Sequence, residues 1–132
     1  MSDSFADSNV LLYIATSDIE KAEIAERLLD DGLTISVQVL NEIANVVVKK
    51  WRRPWADADE LLKTVRIAAT IVPVTEQTHQ LGTSIAKRHK LAVYDGMIVA
   101  AALLAGSSTL YSQDMHNGLV VDNRLTIVNP FA

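Results

Sequence analysis

Four acidic residues of this sequence occupy positions where a carboxylate can do chemistry. Asp7 directly follows the apolar stretch SFA, and Asp114 follows the stretch TLYS after one intervening residue. Asp95 opens a long apolar segment, and Glu42 lies about one and a half turns into a segment with helical periodicity. Because carboxylate oxygens are the ligands that Mg²⁺ and Mn²⁺ prefer, we hypothesise that these acids surround one divalent metal ion.

Other metal chemistry finds little support in the composition. The sequence contains no cysteine, which excludes disulfides and thiolate metal sites. Its three histidines, His79, His89 and His116, show neither the i, i+4 pairing nor the spacing of a zinc site. Any bound metal is therefore expected to have oxygen ligands.

The elements that would position these acids follow from the alternation of short apolar runs with longer helical segments. The runs SFA, LTIS, TIVPV, STLYS and LTIV are interpreted as strands, separated by helical segments. This order predicts a three-layer α/β fold, with a central parallel sheet of 4–5 strands and helices on both faces. We expect one domain over residues 1–132. Sites in such sheets form beyond the carboxyl ends of the strands, where all four acids can converge.

Each of the three aspartates also has an ordinary structural interpretation. Asp95 is a reasonable helix N-cap, Asp114 a turn residue, and Asp7 an Asx-turn or helix-cap residue. For Asp95 a further observation favours function, because residues 97–105 are apolar around the whole helix and should be buried. A buried carboxylate is costly unless it is paired, hydrogen-bonded or bound to metal.

Glu42 has the least distinctive pattern of the four acids. Helical spacing places it on one stripe with Gln38, Asn45 and Lys49. A solvated helix face is the ordinary interpretation of such a stripe, and a stripe lining a polar groove has the same pattern. The sequence leaves these two alternatives open.

Charge and hydropathy narrow the class of protein. The net charge of −4 argues mildly against a nonspecific nucleic-acid binder, which is usually basic. The longest apolar run, Met97–Ala105, is far shorter than the roughly 20 residues that span a bilayer. The N-terminal segment lacks the positive region of a secretory signal, so we expect a cytoplasmic protein with no membrane partner.

Four motifs, taken in order, resemble those of PIN-domain ribonucleases. They are DSNVLLY, which begins with Asp7; SVQVLNEIANVV, which contains Glu42; YDGMIVAAAL, which contains Asp95; and TLYSQDM, which contains Ser112 and Asp114. The third motif has Asp-Gly where Asp-Ala is common in that family, and the fourth lacks a second acid that some members carry. With the terminal IVNPF, the chain is similar to VapC-type toxins of type II toxin–antitoxin pairs.

The resemblance implies a PIN-like fold and an Mg²⁺- or Mn²⁺-dependent endoribonuclease that cleaves single-stranded RNA. It assigns the catalytic acids to Asp7, Glu42, Asp95 and Asp114, and the metal ligands to the three aspartates. Asn9 and Ser112 would be positioning residues, which hydrogen-bond either the acids or a phosphate oxygen. The partners implied are the RNA substrate, a cognate antitoxin and a second copy in a homodimer.

A basic and aromatic segment, KKWRRPW, follows the helix that carries Glu42. It supplies the cations Lys49, Lys50, Arg52 and Arg53, with Trp51 and Trp55 available for base stacking. Of the four cations, Lys49, Arg52 and Arg53 are the candidate RNA-binding residues. A solvated helix end, whose cations complement the helix dipole, is an equally good interpretation.

Two other functions are compatible with this pattern. A receiver-like phosphoacceptor domain is also a small α/β domain with clustered aspartates, but it would need adjacent acids and a late lysine that this sequence lacks. The second is a PIN-fold binding module without hydrolytic activity, although all four acids are present.

Overall fold

The computed structural model describes residues 3–132, so residues 1 and 2 of the predicted domain lie outside the described residues. Within residues 3–132, six strands form one sheet in the order β3-β2-β1-β4-β6-β5. The strands are β1 Ser4–Ala6, β2 Thr34–Ser36, β3 Thr70–Val72, β4 Thr109–Tyr111, β5 Val120–Val121 and β6 Leu125–Val128. The sheet is mostly parallel, and the predicted three-layer α/β architecture is confirmed.

Helices connect the parallel strands. They are α1 Ser8–Leu11, α2 Ile19–Asp30, α3 Val37–Asn45, α4 Trp55–Ala68, α5 Glu76–His89 and α6 Val93–Leu104. A short 3₁₀ segment, Leu12–Ala15, follows α1, and a π-helical turn, Val46–Lys50, extends α3. The wider turn of a π-helix changes which side chains share a face with the preceding helix.

The last strand pair adds an antiparallel strand, so the described sheet has six strands where four to five were predicted. Strand β5 pairs antiparallel with β6, and Asp122 and Asn123 between them adopt positive φ angles of 51° and 55°. Such a turn suits a hairpin, because its twist matches that of the flanking strands. Strand β5 has only two residues, which is too short for any periodicity to indicate it.

Helix α6 is the buried centre of one helical layer, as its apolar sequence predicts. Its residues from Gly96 to Leu103 are buried, and the helix ends just before Gly106, which has a positive φ of 77°. It packs closely against α5, since a Cβ atom added at Gly96 would overlap the carbonyl oxygen of Gly82. Within residues 3–132, no helix combines the length and apolar character that crossing a membrane requires.

Strand β1 lies at the point where the order of the strands reverses. It pairs in parallel with β2 on one side and with β4 on the other. The pairing with β4 extends past the strand, because the Asp7 amide donates to the Tyr111 carbonyl oxygen at 2.9 Å. Connections that leave a parallel sheet in opposite directions open a crevice at its carboxyl edge.

Candidate active site

The crevice is a cleft of about 350 Å³ at the carboxyl edge of the sheet. Its lining includes all four predicted acids: Asp7 after β1, Glu42 on α3, Asp95 on α6 and Asp114 after β4. Residues that are up to 107 positions apart in the sequence therefore share one cavity, because parallel strands deliver their carboxyl ends to the same edge.

Asp7 is the most deeply buried acid of the cleft, with only 3% of its surface exposed. It occupies the N-cap position of α1, where one carboxylate oxygen accepts a 2.7 Å hydrogen bond from the Ser8 amide. The capping interpretation of Asp7 is thus also correct. Its other oxygen remains available for bonds across the cleft.

Asn9 and Ser112 hold that second oxygen of Asp7. The Ser112 hydroxyl donates to Oδ2 at 2.9 Å, and the Asn9 amide donates to the same atom at 3.3 Å. Asn9 also accepts a 3.0 Å hydrogen bond from the backbone of Gln113, which ties α1 to the loop that carries Asp114. Ser112 is fully buried, so of its two predicted roles it takes the one directed at an acid.

Ser8 lies between two of the acids and was not identified from the sequence. Its hydroxyl is 2.7 Å from Glu42 Oε1 and 3.3 Å from Asp7 Oδ1. A hydroxyl has one proton, so the shorter distance indicates that it donates to Glu42. Gln38 donates to the other Glu42 oxygen at 3.2 Å, which fixes that carboxylate at the wall of the cleft.

Asp95 and Asp114 complete the cleft from α6 and from the loop after β4. The N-cap of α6 is Ala92, so Asp95 lies in the first helical turn and its N-cap interpretation is wrong. Asp95 is half-buried, whereas Asp114 is exposed at the mouth of the cleft. The acids thus extend from a buried end at Asp7 to an open end at Asp114.

Burial and repulsion from neighbouring carboxylates affect the pKa values of two acids in the cleft. Burial raises the pKa of Asp7 to about 7, the Ser112 hydrogen bond partly opposes this, and the charges of Glu42 and Asp95 add to it. The pKa of Asp95 is also raised, first by burial and then by the charges of Glu42 and Asp114. Since burial and neighbouring charges disfavour ionisation of Asp7 and Asp95, a cation in the cleft would relieve an electrostatic cost.

The donor set of the cleft fits a divalent ion that keeps part of its water shell. Across the described residues, no three His, Asp or Glu side chains are grouped closely enough to hold a metal ion by themselves. Mg²⁺ commonly retains several waters and takes only one or two carboxylates from the protein, with substrate phosphate as a further ligand. An open cleft of oxygen donors with raised aspartate pKa values suits that mode of binding.

The basic segment after α3 contributes to the cleft through Lys50 and Trp51. Lys49, Arg52 and Arg53 are exposed and are not part of its lining. Arg53 donates to the Ala15 carbonyl oxygen at 2.9 Å, and its guanidinium lies 5.0 Å from the centre of the Trp51 ring. The three predicted RNA-binding residues therefore lie outside the lining of the cleft, and their role stays a prediction.

The lining of the cleft also includes part of an aromatic cluster that sequence reasoning missed. Tyr13 and Gln113 line the cleft, and the Tyr13 hydroxyl donates to the Gln113 side chain at 2.8 Å. The Phe131 ring packs edge-on against Tyr13 with the ring centres 4.9 Å apart, and Lys21 lies 4.9 Å from the Tyr13 ring centre. The C-terminal segment thereby supports the loop that carries Asp114.

Comparison with protein families gives one match over most of the chain. The family model described as PIN domain matches residues 4–116. That range contains all four acids of the cleft. No curated protein sequence gives a significant match.

Solved structures give matches over nearly the full length. A toxin–antitoxin complex from Klebsiella pneumoniae has a TM-score of 0.71 at 17% identity, covering 96% of this chain and 97% of the other. A VapC toxin of Mycobacterium tuberculosis that cleaves the sarcin–ricin loop has a TM-score of 0.68 at 18% identity, covering 84% and 89%. A VapBC complex of Rickettsia felis, bound to a DNA fragment from its promoter, has a TM-score of 0.68 at 15% identity, covering 96% and 98%. At such low identity, these likenesses establish the fold.

Proposed function

This chain belongs to the PIN-domain family, and we propose that it is a divalent-metal-dependent endoribonuclease that cleaves single-stranded RNA. The observation that carries the proposal is the shared cleft of Asp7, Glu42, Asp95 and Asp114, in which burial and mutual repulsion raise the pKa values of Asp7 and Asp95. A fold gains nothing in stability from such an arrangement. Perturbed carboxylates gathered in a cleft are typical of a functional site.

The three aspartates are the proposed holders of the metal, Mg²⁺ or Mn²⁺, either directly or through waters that the ion would keep. When bound, a divalent ion supplies a water of lowered pKa and offsets negative charge on the phosphate. Asn9 and Ser112 keep the Asp7 carboxylate oriented toward the cleft. A fixed ligand direction limits the reorganisation needed when substrate enters.

Glu42 is the proposed acceptor of the proton from the attacking water. Ser8 and Gln38 each donate one hydrogen bond to its carboxylate, which holds the side chain in a single orientation. A general base must lie within hydrogen-bond reach of its proton, and Glu42 lines the same cleft as the metal-holding aspartates. The Ser8 hydroxyl therefore acts as a positioning group between Asp7 and Glu42.

RNA needs attractive contacts to approach an acidic cleft. Lys50 lines the cleft beside the acids and offers a positive charge to a phosphate of the substrate. Trp51 and Tyr13 line it as well, and their rings offer surfaces for unpaired bases. Base stacking on side chains requires bases that are not already paired, which favours a single-stranded substrate.

We further propose that the chain acts as the toxin of a toxin–antitoxin pair. The similar structures include a toxin–antitoxin complex and a VapBC complex, which supports an antitoxin partner for this chain. Homodimerisation and a cytoplasmic location are part of the same proposal, as is a single domain over residues 1–132. The test is to co-express the chain with the product of any small reading frame beside its gene. Co-purification and loss of RNA cleavage would support the proposal, and a chain that cleaves RNA unhindered would contradict it.

Cleavage of end-labelled single-stranded RNA tests the nuclease activity directly. We expect Mn²⁺- or Mg²⁺-dependent products from the unaltered protein and from Asp59→Asn, a control at an exposed acid on α4. EDTA and Asp95→Asn should abolish the products. RNA that is bound but never cut would instead support a binding module without hydrolytic activity. Cleavage that is unchanged by Asp95→Asn would contradict the proposed site.

A further inference from the structure

A second groove of about 420 Å³ lies beside the acidic cleft. It is lined by Gln38, Asn41, Glu42, Asn45 and Tyr94. Glu42 also lines the acidic cleft, so the two depressions meet at this side chain. A substrate that occupies the cleft can therefore continue into the groove.

One wall of the groove is the polar stripe of α3. Residues 38, 41, 42 and 45 follow the i, i+3, i+4, i+7 spacing of one helix face. Gln38, Glu42 and Asn45 of the predicted stripe line this groove, whereas Lys49 does not. Asn41 and Asn45 are exposed, and each carboxamide offers both donors and an acceptor.

The other wall is the side chain of Tyr94, which is 65% exposed. Tyr94 directly precedes Asp95, so its position is fixed by the same helical turn that brings that acid to the cleft. An aromatic ring left this open to solvent beside a catalytic acid has little to contribute to the core. It is well placed to stack on a flat group of the substrate.

The chemistry of the lining selects among ligands. Besides Glu42, the groove is lined by neutral amides and one aromatic ring, so it offers no cation for a phosphate. It also lacks the aliphatic side chains that would bury an apolar segment of a protein. Carboxamides pair with the donor and acceptor edges of nucleobases, and aromatic rings stack on the faces of unpaired bases.

We infer that this groove is a base-binding subsite, which holds an unpaired base next to the phosphate at the acids by stacking on Tyr94 and hydrogen bonding to Asn41 and Asn45. The inference rests on the proposed function, because it presumes an RNA substrate in the acidic cleft. It adds a recognition role for residues that lie outside that cleft. It also identifies a place where the enzyme can prefer one base over another.

Binding of a short fluorescent RNA to a cleavage-deficient Asp7→Asn protein tests the subsite without interference from cleavage. The variants are Tyr94→Ala, Tyr94→Phe and a matched control, Val93→Ala, at a neighbouring side chain that is 50% exposed. We expect Tyr94→Ala to weaken binding by about 5- to 100-fold, the range of one lost base stack. Tyr94→Phe and Val93→Ala should bind as tightly as the parent.

A series of RNAs, each lacking the base of one nucleotide, distinguishes direct stacking from a general structural effect. At one position, loss of the base should weaken binding to the parent at least as much as Tyr94→Ala does, because it removes the stacking contact together with the hydrogen bonds to Asn41 and Asn45. Against Tyr94→Ala itself, loss of the same base should weaken binding by less than it does against the parent, because the stacking contact is already absent. Asn41→Ala combined with Asn45→Ala should reduce the preference among the four bases at that position.

The inference is wrong if Tyr94→Ala leaves RNA binding unchanged or if its effect and that of the missing base simply add. It is also wrong if Tyr94→Ala affects only self-association or antitoxin binding, since the groove would then be a protein interface. In these cases, cleavage of RNA by the unaltered protein leaves the proposed function intact. If that protein neither binds nor cleaves RNA, the proposed function fails together with the inference.

Discussion

The acidic cleft and the α5–α6 interface are both partly or fully buried, but they have opposite effects on the stability of the fold. In the cleft, Asp7 is almost fully buried among other carboxylates, and its pKa is raised to about 7. At the interface, Gly82 and Gly96 let two helix backbones approach more closely than any side chain would allow. The interface contributes to stability through close packing, whereas the cleft carries an electrostatic cost that a bound cation would reduce.

The contrast teaches that substitutions in the two regions should have opposite signatures. Removing a charge from the cleft should abolish activity and leave stability unchanged or improved. Adding a methyl group to the interface should destabilise the fold without touching the acids. Such a separation is expected where a functional site is maintained at the expense of stability.

The largest expected effect is on catalysis. Asp95→Asn should lower the rate of RNA cleavage by about 1,000-fold, since metal-assisted charge stabilisation is worth several kcal/mol and each 1.36 kcal/mol is a factor of ten. Its thermal midpoint should not fall, because the substitution removes a carboxylate whose pKa is raised. Initial rates and a melting curve on one preparation measure both. If Asp95→Asn lost activity because it unfolded, the expected separation between catalytic and structural effects would be contradicted.

The second effect concerns the interface. Gly96→Ala should lower the free energy of unfolding by about 3 kcal/mol, because the new Cβ meets a backbone carbonyl oxygen that cannot move aside. Gly82→Ala should be milder, since the nearest atom to its Cβ is the flexible Met97 sulfur at 2.8 Å. Urea denaturation ranks the two variants. Equal stability of Gly96→Ala and the parent would show that the helices are not in close contact.

The third effect is the pH dependence of stability that Asp7 produces. Its folded-state pKa of about 7 exceeds the unfolded value of 3.8, so between these pH values the folded protein binds more protons. The contribution of Asp7 to the free energy of unfolding is therefore greatest at acid pH and is lost as pH rises to about 7. Asp7→Asn should make the free energy of unfolding less dependent on pH. At pH 8 in metal-free buffer, the free energy of unfolding of this variant should exceed that of the parent by about 1–2 kcal/mol. A steeper slope in the variant would contradict the assignment.

The smallest effect belongs to an aspartate with the opposite shift. Arg88 donates to Asp122 at 2.8 Å, and this hydrogen bond lowers the pKa of Asp122. Any stability gained from the pair is present at neutral pH and lost as the pH falls below the usual range of an aspartate. Because both groups are solvent-exposed, Asp122→Asn should leave the melting midpoint at pH 7 unchanged within error. A large loss would show that this pair is more than a surface contact.

Much of the site follows from local sequence signals. Asp7 and Asp114 lie just after strands, and the geometry of a parallel sheet brings the carboxyl ends of its strands to one edge. Asp95 lies in the first turn of an apolar helix. Because that helix is buried on all sides, the position of Asp95 indicates more than a solvated surface acid. These inferences need only the position of an acid relative to its own element.

The remainder depends on contacts that the sequence does not encode locally. Ser8 looks like an ordinary residue of a first helical turn, yet its hydroxyl lies between acids from β1 and α3. The predicted regular helix would place Lys49 on the face of Glu42, whereas the residues that line the cleft are Lys50, the last residue of the π-helical turn at Val46–Lys50, and Trp51 directly after it. Nothing in the letters VVVKK indicates such a turn.

Calorimetric titration of the RNA-free protein with Mn²⁺ tests the central claim most directly, with Asp7→Asn, Asp95→Asn and the exposed control Asp59→Asn alongside it. We expect saturable binding to the parent and to the control, weakened by at least about 10-fold in each cleft variant, as loss of a ligand predicts. Absence of saturable binding to the parent, or equal affinity in the parent and both cleft variants, would contradict a metal site formed by these acids.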